Sequence, residues 1–233
     1  MPTETAVVLH LAIGTVCVIF YWMTFFQKKG SPRHRRNGKV FLLSLLAVLV
    51  TVGGVLFLSG RTFAPERMVQ FAYLTVCVVT VAGTAFLAIR MKHDLERFRG
   101  LWFKVLGILA FAMGTAVLAA GIATNDPMPT LFSVIGLLYG GAMIRFAYMN
   151  APVHENWSLI WHLNGMTFLF NAVHGTLLAV LWRWLVDPSA GVELNLATQI
   201  GTMLGSLALR LWFGARYKAP LRLTARRSAL APA

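Results

Sequence analysis

Charge is scarce in this chain, and negative charge scarcest of all. Asp and Glu number 8 in 233 residues, and charged residues of both signs make up only 12%, against about 25% in soluble proteins. No carboxylate falls inside the long uncharged stretches described below, so a carboxylate proton relay of the ion-pump kind is excluded. Cysteine is nearly absent, with Cys17 and Cys77 each in the middle of an apolar stretch. No disulfide framework and no Cys pair with metal-ligand spacing can be built from them. Both read as small buried apolar residues. No Ser or Cys stands beside a His in a nucleophile elbow, and no Gly-rich phosphate loop is present, so nucleophilic and soluble-cofactor catalysis lack support. Met1-Pro-Thr-Glu-Thr has no basic segment, so a cleavable signal peptide is not expected.

What is abundant is apolar length. Hydrophobic residues make up 58%, and charge is missing from Thr5 to Gln27, Val40 to Gly60, Met68 to Ile89, Val105 to Asn125, Pro127 to Ile144, Asn156 to Trp182 and Leu194 to Leu209. A membrane-spanning helix needs about 20 mainly apolar residues, with a range of roughly 17 to 25. The windows therefore predict an all-α integral membrane protein with about seven transmembrane helices, the fifth and seventh being the shortest. Short connections leave no separable soluble domain. The expected organisation is one bundle over residues 1–215 and a short basic tail over 216–233.

Orientation follows from the basic residues. Six lie between Lys28 and Lys39, five between Arg90 and Lys104, one at Arg145, and six from Arg210 onward. These 18 of the 21 Lys and Arg fall on one side of the alternating spans, against Arg61, Arg67 and Arg183 on the other. The positive-inside rule then puts the N-terminus outside and the C-terminus in the cytoplasm, in the cell inner membrane. The net charge of +13 reads as topology signal and contact with anionic lipid headgroups rather than nucleic-acid binding. A membrane-protein partner or a second copy of the chain is also expected.

The basic loop enters the second span through Lys29-Gly30-Ser31-Pro32, followed by His34-Arg35-Arg36-Asn37-Gly38-Lys39-Val40-Phe41. This His-Arg-x-x-Gly-x-Val-aromatic string at a cytoplasmic helix start resembles a family of bacterial integral membrane proteins without assigned chemistry. The likeness covers about Lys28 to Phe57, and Ala88-Ile89-Arg90-Met91-Lys92-His93 matches a second basic loop. An Arg-Trp-Met string usual there in the family is replaced here by Asp94-Leu95-Glu96. The resemblance implies membrane class and helix arrangement, with His34 and Gly38 as the matching positions.

Small residues recur at helical spacing: Gly53-Gly54, Gly83 and Thr84, Gly107, Gly114 and Gly121, Gly136-x-x-x-Gly140, and Gly201-x-x-x-Gly205. These are expected to be packing seams where backbones approach closely.

The sixth window differs from the others in carrying His162, Asn164, Thr167, Asn171 and His174. At about 100° per residue, Asn164, Thr167, Asn171 and His174 share an arc of about 80°, with His162 nearly opposite. The two histidines stand about 18 Å apart along the axis. Polar groups at membrane depth normally face the bundle interior. The leading specific reading is b-type haem between helices, for membrane redox or electron transfer, with His174, His10, His162 and His34 as candidate ligands. A metal site from His154, Glu155 and His162 lacks standard zinc spacing. The alternative function is a non-catalytic transporter or an accessory or assembly subunit of a membrane complex. In that reading the stripe lines a path, with Thr198, Gln199, Thr202 and Ser206 of the seventh span as complement; the alternative without a function is that the stripe is interhelical hydrogen-bonding glue.

Overall fold

The computed structural model describes residues 2–58 and 65–225, with side chains placed for 5–56 and 68–225. The expected outer loop at 59–64 with Arg61, the Arg67 side chain, and Arg226 and Arg227 lie outside these described parts. The chain divides into two compact units, one up to Phe71 and one from Ala72.

The first unit is a helical hairpin of α1 (Pro2–Phe26) and α2 (Pro32–Leu58). Its turn uses Gly30 at φ 77°, a left-handed conformation that costs glycine nothing. Ser31 then starts α2: its hydroxyl accepts the His34 backbone N–H at 3.2 Å, and Pro32 takes the first helical position, where a missing N–H is harmless. Cys17, Tyr21, Phe41 and Leu45 are buried, with the Tyr21 and Phe41 rings edge to face at 5.3 Å. Lipid is as apolar as these side chains, so close packing rather than water exclusion holds the hairpin.

The second unit begins within α3 (Pro65–Arg90) and continues through a single turn, α4 (Leu95–Phe98), into α5 (Leu101–Thr124). Asp94 caps α4 by accepting the Arg97 N–H at 2.9 Å. Asp126 caps the next helix through the Met128 N–H, with Pro127 at its first position. That helix runs as α6 (Pro127–Ile135), a π-turn over Gly136–Gly140, and α7 (Gly141–Ala147). The long helices α8 (Trp157–Leu185) and α9 (Val192–Arg216) complete the unit. Cys17 and Cys77 are free and buried.

The π-turn has an identifiable cause. Gly107, Gly114 and Gly121 of α5 meet the α6–α7 helix so closely that a Cβ at Gly114 would lie 3.1 Å from the Leu137 backbone, and one at Gly140 2.7 Å from Phe111 N. A π-turn loosens the carbonyls before it. The Tyr73 hydroxyl on α3, fully buried, supplies what they lose. It donates toward the Phe132 and Ser133 carbonyls at 3.0 and 3.2 Å and accepts the Gly136 N–H at 2.8 Å. The other glycines divide: a Cβ at Gly205 would lie 3.1 Å from the Phe170 ring of α8. Among the described residues, a Cβ at Gly53, Gly54, Gly83 or Gly201 would meet nothing within 4 Å.

Among the described residues six helices are long and apolar enough to cross a membrane: Thr5–Phe26, Pro32–Leu56, Met68–Arg90, Leu95–Thr124, Pro127–Ala147 and Trp157–Leu185. The chain is an all-α, multi-spanning membrane protein. The seventh expected span, α9, has 25 residues but lacks the apolar run, because Gln199, Thr202, Ser206 and Arg210 recur along it. Beyond α9 the chain turns sharply in a Schellman motif: Ala219 N donates to Gly214 O at 2.9 Å, and Lys218 holds the left-handed position at φ 52°. Residues 217–225 then fold back along the loop before α8. Val153 and Thr224 form an antiparallel bridge, and the His154 N–H reaches Leu223 O at 2.8 Å.

Candidate functional site: the polar face of α8

Three of the four stripe residues are buried, namely Thr167, Asn171 and His174; α9 meets the stripe at Asn171 and Asn164. Asn171 is the node. Its Nδ2 faces Gln199 O at 3.2 Å, Gln199 Oε1 at 3.0 Å and Thr202 Oγ1 at 2.7 Å. Thr202 passes its own proton to the Thr198 carbonyl at 2.7 Å, and Gln199 Nε2 extends the network to Thr176 Oγ1 at 3.4 Å. Gly175 makes room for this, since a Cβ there would collide with the Gln199 amide. Asn164 accepts from Nε of Arg210, whose Nη1 and Nη2 donate to the Ala219 and Pro220 carbonyls at 2.9 Å each. Thr167 turns back onto its own helix at Leu163 O, 2.8 Å away. Interhelical hydrogen bonds in membranes average about 0.6 kcal/mol and reach about 1.7. The network is thus worth on the order of 2 kcal/mol, enough to fix the register of two helices.

Thr198 and Ser206, expected as complements, do less. Thr198 Oγ1 bonds within α9 to Asn195 O. Ser206 Oγ is buried without a hydrogen-bond partner among the described residues. Arg210 is the member that sequence reasoning missed, because it was counted with the basic tail as a topology signal. It is only 5% exposed. Its spacing from Gln199, Thr202 and Ser206 keeps one helix face, and that periodicity was the available signal. Tyr73 was missed as well, being one aromatic in an apolar span.

The histidines sort by tautomer. His174 Nδ1 lies 2.9 Å from the Phe170 carbonyl, and the two rings stack at 4.4 Å. His162, on the opposite face of α8, puts Nδ1 at 2.9 Å from Ala85 O of α3. His34 Nδ1 is 3.2 Å from Thr24 O in the first unit. A carbonyl only accepts, so these nitrogens carry the proton and Nε2 carries the lone pair. His10 Nδ1 faces Thr51 Oγ1 at 2.9 Å, and that hydroxyl already donates to Val48 O at 2.8 Å, which gives the same tautomer. His154 is the reverse: its Nδ1 accepts the Asn156 N–H at 3.0 Å.

The last arrangement bears on the metal reading. The neutral lone pair of His154 is committed to Asn156, His162 is turned to α3, and Glu155 is exposed. Among the described residues no group of three or more His, Cys, Asp or Glu is placed to hold a metal ion, so His154, Glu155 and His162 are not gathered into a ligand set. The candidate haem ligands divide between the units, His10 and His34 in the first and His162 and His174 in the second.

Comparison of the chain with protein-family models, with curated proteins and with solved structures gives no match.

Proposed function

We propose that the protein is a non-catalytic accessory or assembly subunit of an inner-membrane complex. The observation that carries this reading is the engagement of the α8 stripe. Asn164 and Asn171 bond side chains of α9, and Thr167 and His174 bond carbonyls of α8 itself. Groups bonded in this way hold a bundle in shape rather than line a transport path. Native mass spectrometry after extraction in mild detergent at native expression tests it. A stoichiometric complex heavier than the 25.7 kDa chain is expected, and a lone 25.7 kDa species overturns the assignment.

One observation favours a second reading, b-type haem. An axial imidazole normally donates its other ring N–H to a backbone carbonyl, which fixes its orientation and raises its basicity. His174 and the Phe170 carbonyl have that arrangement. Bound haem would supply reversible one-electron chemistry, with His174 as a ligand through Nε2. The same preparation from haem-replete cells reads it out: a Soret band abolished in His174→Ala supports haem, and a colourless preparation ends the reading.

A further inference from the structure

The last turns of α9 and the returning segment after it border an open cleft of about 420 Å³. Its lining divides into two characters. Arg210, Lys218 and Arg222 make one part cationic beside His154, Leu211 and Leu221 make another apolar, and no carboxylate of the described residues contributes. Arg210 is the buried member, and every group bonded to it is a neutral oxygen: Asn164 Oδ1, Ala219 O and Pro220 O. Dipoles of this kind hold a guanidinium in place without cancelling its charge, so the cleft keeps a positive field that low-dielectric walls focus. Lys218 occupies the left-handed position of the Schellman turn, where glycine is the usual residue.

The apolar side continues past the cleft. Leu204, Leu207 and Leu211 are 62%, 50% and 50% exposed and follow one another at three- and four-residue steps along α9. They form a line leading from the cleft toward the middle of the helix. The loop before α8 also borders the cleft: His154 lines it, and Asn156 Nδ2 donates to Lys218 O at 3.1 Å. A cationic mouth opening onto an apolar strip matches a molecule with an anionic phosphate and a hydrocarbon chain.

We propose that this cleft is a binding site for an anionic phospholipid. Lys218 and Arg222 meet the phosphate, the edge of Arg210 lies behind it, and an acyl chain runs along Leu211, Leu207 and Leu204. Phosphate is the shared chemistry, and a membrane lipid rather than free phosphate is its source, because the apolar strip has no use for an inorganic ion. The assignment stands apart from the accessory-subunit reading and from the haem reading.

The test uses the full chain, delipidated in neutral detergent and melted with added phosphatidylglycerol, phosphatidylcholine or inorganic phosphate. Phosphatidylglycerol raises the Tm of the wild type, and the other two leave it unchanged. In Lys218→Gly/Arg222→Gln the lipid-free Tm stays at the wild-type value, since glycine suits the turn and Arg222 is exposed. The half-saturating phosphatidylglycerol concentration rises about 30-fold, the effect of removing two interfacial cations. An equal response to phosphatidylcholine, a full response to inorganic phosphate, or an unshifted double variant overturns the site. If the double variant melts early without lipid, Arg222→Gln alone is read by native mass spectrometry. Loss of retained phosphatidylglycerol then supports the site, and wild-type retention overturns it.

Discussion

Two pairs of neighbours in the second unit dock by opposite means. Where α5 meets the α6–α7 helix, the contact is made by what is missing: glycines remove side chains until backbone touches backbone, with Gly114 against Gly136 and Leu137 and Gly140 against Phe111. Where α8 meets α9, the contact is made by added polar groups, Asn171 with Gln199 and Thr202, and Asn164 with Arg210. Lipid offers helices no hydrophobic drive to associate, so dispersion at close range and hydrogen bonds are the available sources of affinity. The glycine seam draws on the first, summed over many atoms. The polar seam draws on the second, concentrated in a few bonds. An added Cβ wedges the whole glycine seam apart whereas deleting one polar group removes only its own bonds, so a single substitution is expected to damage the glycine seam more.

Three substitutions order that expectation. The largest effect belongs to Gly136→Ala, whose Cβ would press on the Ala110 carbonyl and the Tyr73 hydroxyl. It should cost about 3 kcal/mol in reversible unfolding from mixed micelles, and a loss under about 1 kcal/mol would show that the seam can open. Tyr73→Phe removes a side chain's hydroxyl without changing the seam's shape. It leaves the Gly136 N–H with only the Ser133 carbonyl and loosens the Phe132 and Ser133 carbonyls, for about 2 kcal/mol, with faster amide exchange confined to the π-turn as the local readout. Asn171→Ala deletes the node of the polar seam and should cost about 1 kcal/mol. If it proved worse than Gly136→Ala in the same assay, the comparison would be reversed.

The two seams also differed in how readily the sequence disclosed them. Membrane spans are properties of one helix at a time, so six of the seven are visible as uncharged windows that coincide with apolar helices. The seven-residue spacing of Gly107, Gly114 and Gly121 pointed to a close-packed face, and α5 has one. Gly53, Gly54, Gly83 and Gly201 carried the same signal, yet a Cβ there would meet no described atom within 4 Å. A small residue permits a close approach, and only the partner helix determines whether one occurs. The α8 stripe was legible from its angular spacing, but its bonding depended on a helix 28 residues away in Asn171 and Gln199. The π-turn was hidden for the same reason, since Tyr73 lies 63 residues before Gly136. Arg210 was obscured by a rule that is usually right, that arginine near the end of a span marks the cytoplasmic side.

Arg210 also has a history within each molecule. Translation delivers it before Ala219 and Pro220, the carbonyls that receive two of its donors. Without them Asn164 alone would answer the guanidinium, and a cation so placed would snorkel toward the headgroups. The register of α9 against α8 therefore depends on a segment that follows it in the chain. The segment 217–225 is thus a latch: the Ala219 and Pro220 carbonyls close over Arg210 and hold the α8–α9 pairing in register.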